Sequence, residues 1–108
     1  MRLIVAALIV ASTVTAHAQS SAPARERELV RLVRQDCGSC HGLTLKGGLG
    51  PSLAPHALRD KPIDSLRATI LLGRPGTAMP PWQGILNEAD ADWILAQLLA
   101  GFPQEIAR

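Results

Sequence analysis

The sequence predicts an all-α domain built around a group that the chain itself does not supply. No stretch alternates apolar and polar residues over the length of a strand, while three segments carry the residues that start and stop helices. The chain is also poor in large core formers, with Trp82, Trp93 and Phe102 its only aromatic residues. A domain this small buries a modest share of its surface and often leans on a disulfide, a metal or a cofactor. Something bulky and apolar is expected at its centre.

The elements follow in chain order. Met1 and Arg2 give a short positive start, Leu3 to Val14 is almost unbroken apolar sequence, and Ala16-His17-Ala18 supplies small residues at the positions a signal peptidase reads. This layout predicts a secretory signal over 1–18, cleaved between Ala18 and Gln19, with export to the periplasm. The apolar run is shorter than the roughly 20 residues that span a bilayer, so no stable membrane anchoring is expected after cleavage. One domain, 19–108, remains. Ser21 is placed to cap a first helix with Pro23 in its first turn, running to about Asp36. Leu29, Val30, Val33 and Cys37 share one side of it, opposite Arg27, Glu28, Arg31 and Arg34. Residues 42–56, with Gly47-Gly48 and Gly50-Pro51, read as a loop. Asp64 is the expected cap of a short helix through Leu72, stopped by Gly73 and Pro75. Asn87, with Asp90 three residues on, should start the last helix, and Gly101 and Pro103 should end it.

Charge narrows the function. Without Arg2 the remaining chain holds ten basic and nine acidic residues. So even a balance gives no clustered basic surface for nucleic acid. No Ser-His-Asp set or carboxylate pair in a plausible cleft is visible, and Gly47-Gly48-Leu49-Gly50 lacks the strand-to-helix setting of a phosphate loop. The chain does not read as an enzyme.

The chemistry concentrates in Cys37-Gly38-Ser39-Cys40-His41, which holds both cysteines. Two thiols at this spacing can form a redox disulfide, but a thioredoxin-like site needs flanking strands. Zinc needs about four ligands, and His56 is the one other histidine left after signal cleavage. The third reading is C-x-x-C-H attachment of haem. Cys37 and Cys40 at the end of a helix can each take one porphyrin vinyl group as a thioether. His41 then lies under the iron and donates a ring nitrogen. This reading is the one adopted, with a single covalent haem c.

A sixth ligand follows from composition. With Met1 in the signal, Met79 is the sole methionine of the exported chain, and it sits in Gly73-Arg74-Pro75-Gly76-Thr77-Ala78-Met79-Pro80-Pro81-Trp82. No helix crosses this stretch. A methionine here fits poorly as a core gap-filler. His56 is the main competing ligand, with Lys46 and Lys61 behind it.

Three motifs in order, Cys37-Gly38-Ser39-Cys40-His41-Gly42, Gly50-Pro51-Ser52-Leu53 and Gly76-Thr77-Ala78-Met79-Pro80-Pro81-Trp82, resemble those of class I monohaem cytochromes c over essentially the whole chain after the signal. The resemblance implies that family's fold, three to four helices and loops wrapped around one covalently attached haem. It implies that Pro51 offers its carbonyl to the second ring nitrogen of His41. More narrowly, the first and last motifs look like those of the small periplasmic cytochromes c encoded beside the haem d1 nitrite reductase of denitrifying bacteria. The expectation is a monomeric periplasmic carrier of single electrons with His41 and Met79 as axial ligands. It would exchange electrons with redox partner proteins, haem d1 nitrite reductase among them. An accessory role in haem d1 biogenesis or delivery is the alternative.

Overall fold

The computed structural model describes residues 21–103, so the expected signal and its cleavage site lie outside the described residues. Helices run over Ser21–Leu32 (α1), Gly38–His41 (α2), Pro55–Leu58 (α3), Ile63–Leu72 (α4) and Glu88–Leu99 (α5), and no strand occurs among the described residues. A π-helical turn, Val33–Cys37, joins α1 to α2. The first helical run therefore continues to His41 instead of ending near Asp36. Gly38 keeps a right-handed helical conformation, so nothing stops the run before Gly42. Ser21, expected as a cap, is itself the first helical residue.

Two other boundaries differ from expectation. The stretch read as a loop to residue 56 already turns helical at Pro55, where the fixed proline angle suits a first helical position. The cap of α4 is Pro62, with extended backbone, and Asp64 sits inside the first turn. There it accepts a hydrogen bond from Arg67 Nη1 at 2.9 Å, while Arg67 Nε donates to Asp92 at 2.6 Å. Arg67 thus ties α4 to α5.

The last helix forms as its sequence predicts. Asp90 N–H donates to the Asn87 side chain at 2.8 Å, and Asn87 N–H donates back to the Asp90 carboxylate at 3.1 Å. This reciprocal cap satisfies two otherwise unpaired helix donors and is worth about 1 kcal/mol. Its apolar side, Ile94, Leu95 and Leu98, packs with Leu29 and Val33 of the first run, and Leu45, Leu58, Leu86 and Phe102 complete the core. Trp82 and Trp93 pack against this cluster but stay half-buried. The aliphatic centre is small, and a concave surface lies beside it.

Candidate functional site

That concave surface is a cavity of about 520 Å³. Cys37, Cys40 and His41 line it from the end of the first helical run, and Met79 and Pro80 line it from the loop between α4 and α5. Leu58, Leu66, Ile70, Leu86, Ile94 and Leu95 make its apolar walls. All five residues singled out in the sequence, Cys37, Cys40, His41, Pro51 and Met79, border this one space. His56, Lys46 and Lys61 do not.

His41 is aimed by the loop that follows it. Gly47 N–H donates to His41 O at 2.8 Å and Gly50 N–H donates to Cys40 O at 2.7 Å, folding the chain back beneath the helix end. Pro51 O then lies 2.7 Å from His41 Nδ1. A carbonyl only accepts, so Nδ1 is the donor in this bond and Nε2 is the ring nitrogen left available to a metal. Gly50 makes the approach possible: a Cβ there would stand 2.9 Å from both Nδ1 and Cε1 of the ring. Only glycine leaves room for that ring.

The Cys37 thiol is not tuned for redox exchange. Burial first, and the charge of Asp36 second, push the Cys37 thiol up to about 11. A reactive cysteine needs the opposite shift. Neither cysteine is paired in a disulfide. Among the described residues no cluster of three or more His, Cys, Asp or Glu side chains is set to hold a metal ion. Two thiols at C-x-x-C-H spacing, an imidazole with Nε2 open, a soft thioether and an apolar slot within the size range of cofactor sites suit an iron tetrapyrrole.

Sequence reasoning passed over Thr69 and gave Thr77 and Trp82 no role beyond their place in a motif; they line the cavity, as does Arg74, which it read only as a surface charge of the haem-wrapping loops. Thr77 left one usable signal, a hydroxyl two residues before Met79 in a turn-rich segment, where such side chains commonly bond to nearby backbone.

A helical fold closing around this constellation defines a c-type cytochrome. The family model described as Cytochrome C oxidase, cbb3-type, subunit III matches residues 24–97, and the chain belongs to the c-type cytochromes. It is 60% identical over 77 residues to the cytochrome c55X of Pseudomonas aeruginosa, a match covering 71% of this chain and 65% of that protein. It is 50% identical over 94 residues to the cytochrome c55X of Paracoccus denitrificans, covering 87% of this chain and 91% of the relative. The solved c-type cytochrome NirC aligns at 58% identity with a TM-score of 0.71, over 72% of this chain and 92% of that one. Dihydro-heme d1 dehydrogenase NirN, solved in complex with DHE, aligns at 40% identity with a TM-score of 0.61, over 71% of this chain but 17% of that protein. Family membership brings a covalently attached c-type haem and the role of an electron carrier, not of an enzyme.

Proposed function

We propose that the chain is a periplasmic single-electron carrier serving nitrite respiration. In this reading Cys37 and Cys40 hold the haem through thioethers, and His41 and Met79 fill the two axial positions. The observation that carries it is the meeting of the C-x-x-C-H helix end and the sole methionine of 19–108 on one apolar cavity. Bound there, haem supplies a one-electron ferric/ferrous couple. The protein's own part is to tune and protect that couple. The Nδ1–H bond to Pro51 fixes the imidazole's aim and raises its basicity, as partners of metal-bound histidines generally do. The Met79 thioether favours the ferrous form and lifts the potential above that of a bis-histidine site. Leucine and isoleucine walls keep water from the ring. His41 and Met79 would together hold the haem iron, which would leave no place on it for nitrite or peroxide.

The likeness to dihydro-heme d1 dehydrogenase supports a haem d1 pathway. In this reading the redox partners are haem d1 proteins, with haem d1 nitrite reductase the expected one, and the chain acts as a monomer after signal cleavage at Ala18. The likeness to dihydro-heme d1 dehydrogenase favours a second reading, an accessory role in haem d1 biogenesis or delivery. The test uses protein matured with the haem-attachment machinery, mixed in its reduced form with haem d1 nitrite reductase. Stoichiometric reoxidation coupled to nitrite turnover supports the carrier reading. Failure to reoxidise, together with tight binding of a second tetrapyrrole, supports the accessory role.

A further inference from the structure

The loop that presents Met79 is closed upon itself. Arg74 N–H donates to Met79 O at 3.2 Å, and Thr77 N–H donates to Arg74 O at 3.0 Å. Beyond it, Trp82 N–H and Gln83 N–H donate to Ile70 O and Leu71 O, each at 3.1 Å, binding the exit of the loop to the last turn of α4. At the entrance Gly73 is buried with φ +69, and a Cβ there would meet Met79 O at 2.7 Å and Pro80 C at 2.8 Å. Both ends of the loop are thus held by backbone. Its middle is held by the Thr77 N–H bond to Arg74 O and by one side chain. Thr77 Oγ1 donates to Arg74 O at 2.7 Å and accepts from Met79 N–H at 3.3 Å.

The geometry points to Thr77 as the positioning residue of the axial methionine: its hydroxyl bridges the two sides of the loop and resists the opening that would release Met79 from iron. This rests on the reading of Met79 as ligand. Thr77 is exposed, so its substitution leaves the core untouched. Without the hydroxyl, Met79 N–H loses its bond to Oγ1 and Arg74 O keeps only the bond from Thr77 N–H. The loop then opens more often. A ligand added from solution competes for the sixth position only in that open fraction, so its apparent affinity reports the opening directly.

The experiment titrates imidazole into the ferric haem-loaded protein. Thr77→Val should bind imidazole about three- to tenfold more tightly than wild type, the range expected for one ordinary hydrogen bond. Its midpoint potential should fall and its sulfur-to-iron absorption band weaken. Thr77→Ser, which keeps the hydroxyl, should restore all three. Met79→Ala sets the ceiling, imidazole binding with no competitor. The inference is overturned if Thr77→Val, with wild-type haem content and helicity, matches wild type in imidazole affinity, or if Thr77→Ser behaves like Thr77→Val. Wild-type affinity equal to that of Met79→Ala would instead overturn the ligand assignment beneath it, whatever Thr77 does.

Discussion

Arg25 and Asp90, 65 residues apart, meet through two hydrogen bonds, Nε to Oδ1 at 3.2 Å and Nη2 to Oδ2 at 2.7 Å. The same guanidinium also donates to Ile85 O at 2.9 Å. Asp90 is buried, and its Oδ2 also accepts from Asn87 N–H in the cap of α5. One carboxylate therefore starts the last helix and fastens the first helix to it.

Breaking this link should loosen the whole domain. Arg25→Ala leaves a buried carboxylate short of partners, at a cost of about 1–2 kcal/mol once screening at the partly exposed guanidinium is allowed for. Melting at neutral pH should fall by several degrees. The effect depends on pH with a definite sign. The hydrogen bond from Arg25 holds the Asp90 carboxyl below its usual range, burial opposing and the Asn87 N–H assisting. Stability from the pair is present above the ordinary carboxylate pKa and is lost as pH falls through the depressed one. The gap between Arg25→Ala and wild type should narrow in strong acid; a constant gap counts against the pair.

Removing both thiols should leave the fold without its centre. In the Cys37→Ala, Cys40→Ala double variant no haem should survive denaturing electrophoresis and haem staining. Circular dichroism should report a largely unfolded chain, since the aliphatic core alone is small. Native, correctly matured protein with a Cys37–Cys40 disulfide and no haem would sink the assignment.

The axial assignment predicts a contrast between two single substitutions. Met79→Ala should keep the thioether-bound haem yet open the sixth position, lower the potential and allow peroxidase activity. His56→Ala should leave the spectrum unchanged, because His56 is exposed and away from the cavity. Loss of the low-spin spectrum in the His56 variant alone would make the protein a bis-histidine cytochrome.

Gly50→Ala tests the histidine side. The new methyl group would collide with the imidazole and push His41 away from Pro51 O. A mixture of high- and low-spin iron and a lowered haem content are expected, read from absorption and resonance Raman spectra.

Surface charge should matter to rate. Lys46, Arg59, Lys61 and Arg74 are all exposed. If they steer an acidic partner, association slows as salt screens charge over about 8–10 Å, and reversing the four charges slows it further. A rate indifferent to both changes rules steering out.

Legibility in the sequence followed the range of each interaction. The C-x-x-C-H motif and the Asn87–Asp90 cap are local, fixed by spacing of three or four residues, and both read correctly as local patterns. The meeting of His41 with Pro51 was accessible only through resemblance, because a ten-residue loop does not announce which carbonyl it returns. Asp64 misled for a local reason: Pro62 already fixes the entry to α4, and the carboxylate is taken by Arg67. The pairing of Arg25 with Asp90 left no trace, since Arg25 looks like an ordinary surface charge and Asp90 like a local cap residue until α1 and α5 meet. The extent of the first helix was also hidden, because glycine at 38 suggests a stop that a helical backbone there does not make.

The π-helical turn at Val33–Cys37 has a consequence for how this chain can change length. Such a turn houses one residue more than an α-helical turn does. Losing a residue elsewhere in the run from Ser21 to His41 would swing everything after it by about 100° around the axis, carrying Cys37, Cys40 and His41 off the cavity. Losing exposed Gln35 would instead let the turn relax to ordinary α-helical spacing, with Leu29 and the C-x-x-C-H end still facing the same way. A one-residue deletion, in evolution or in an engineered variant, is best absorbed at this bulge.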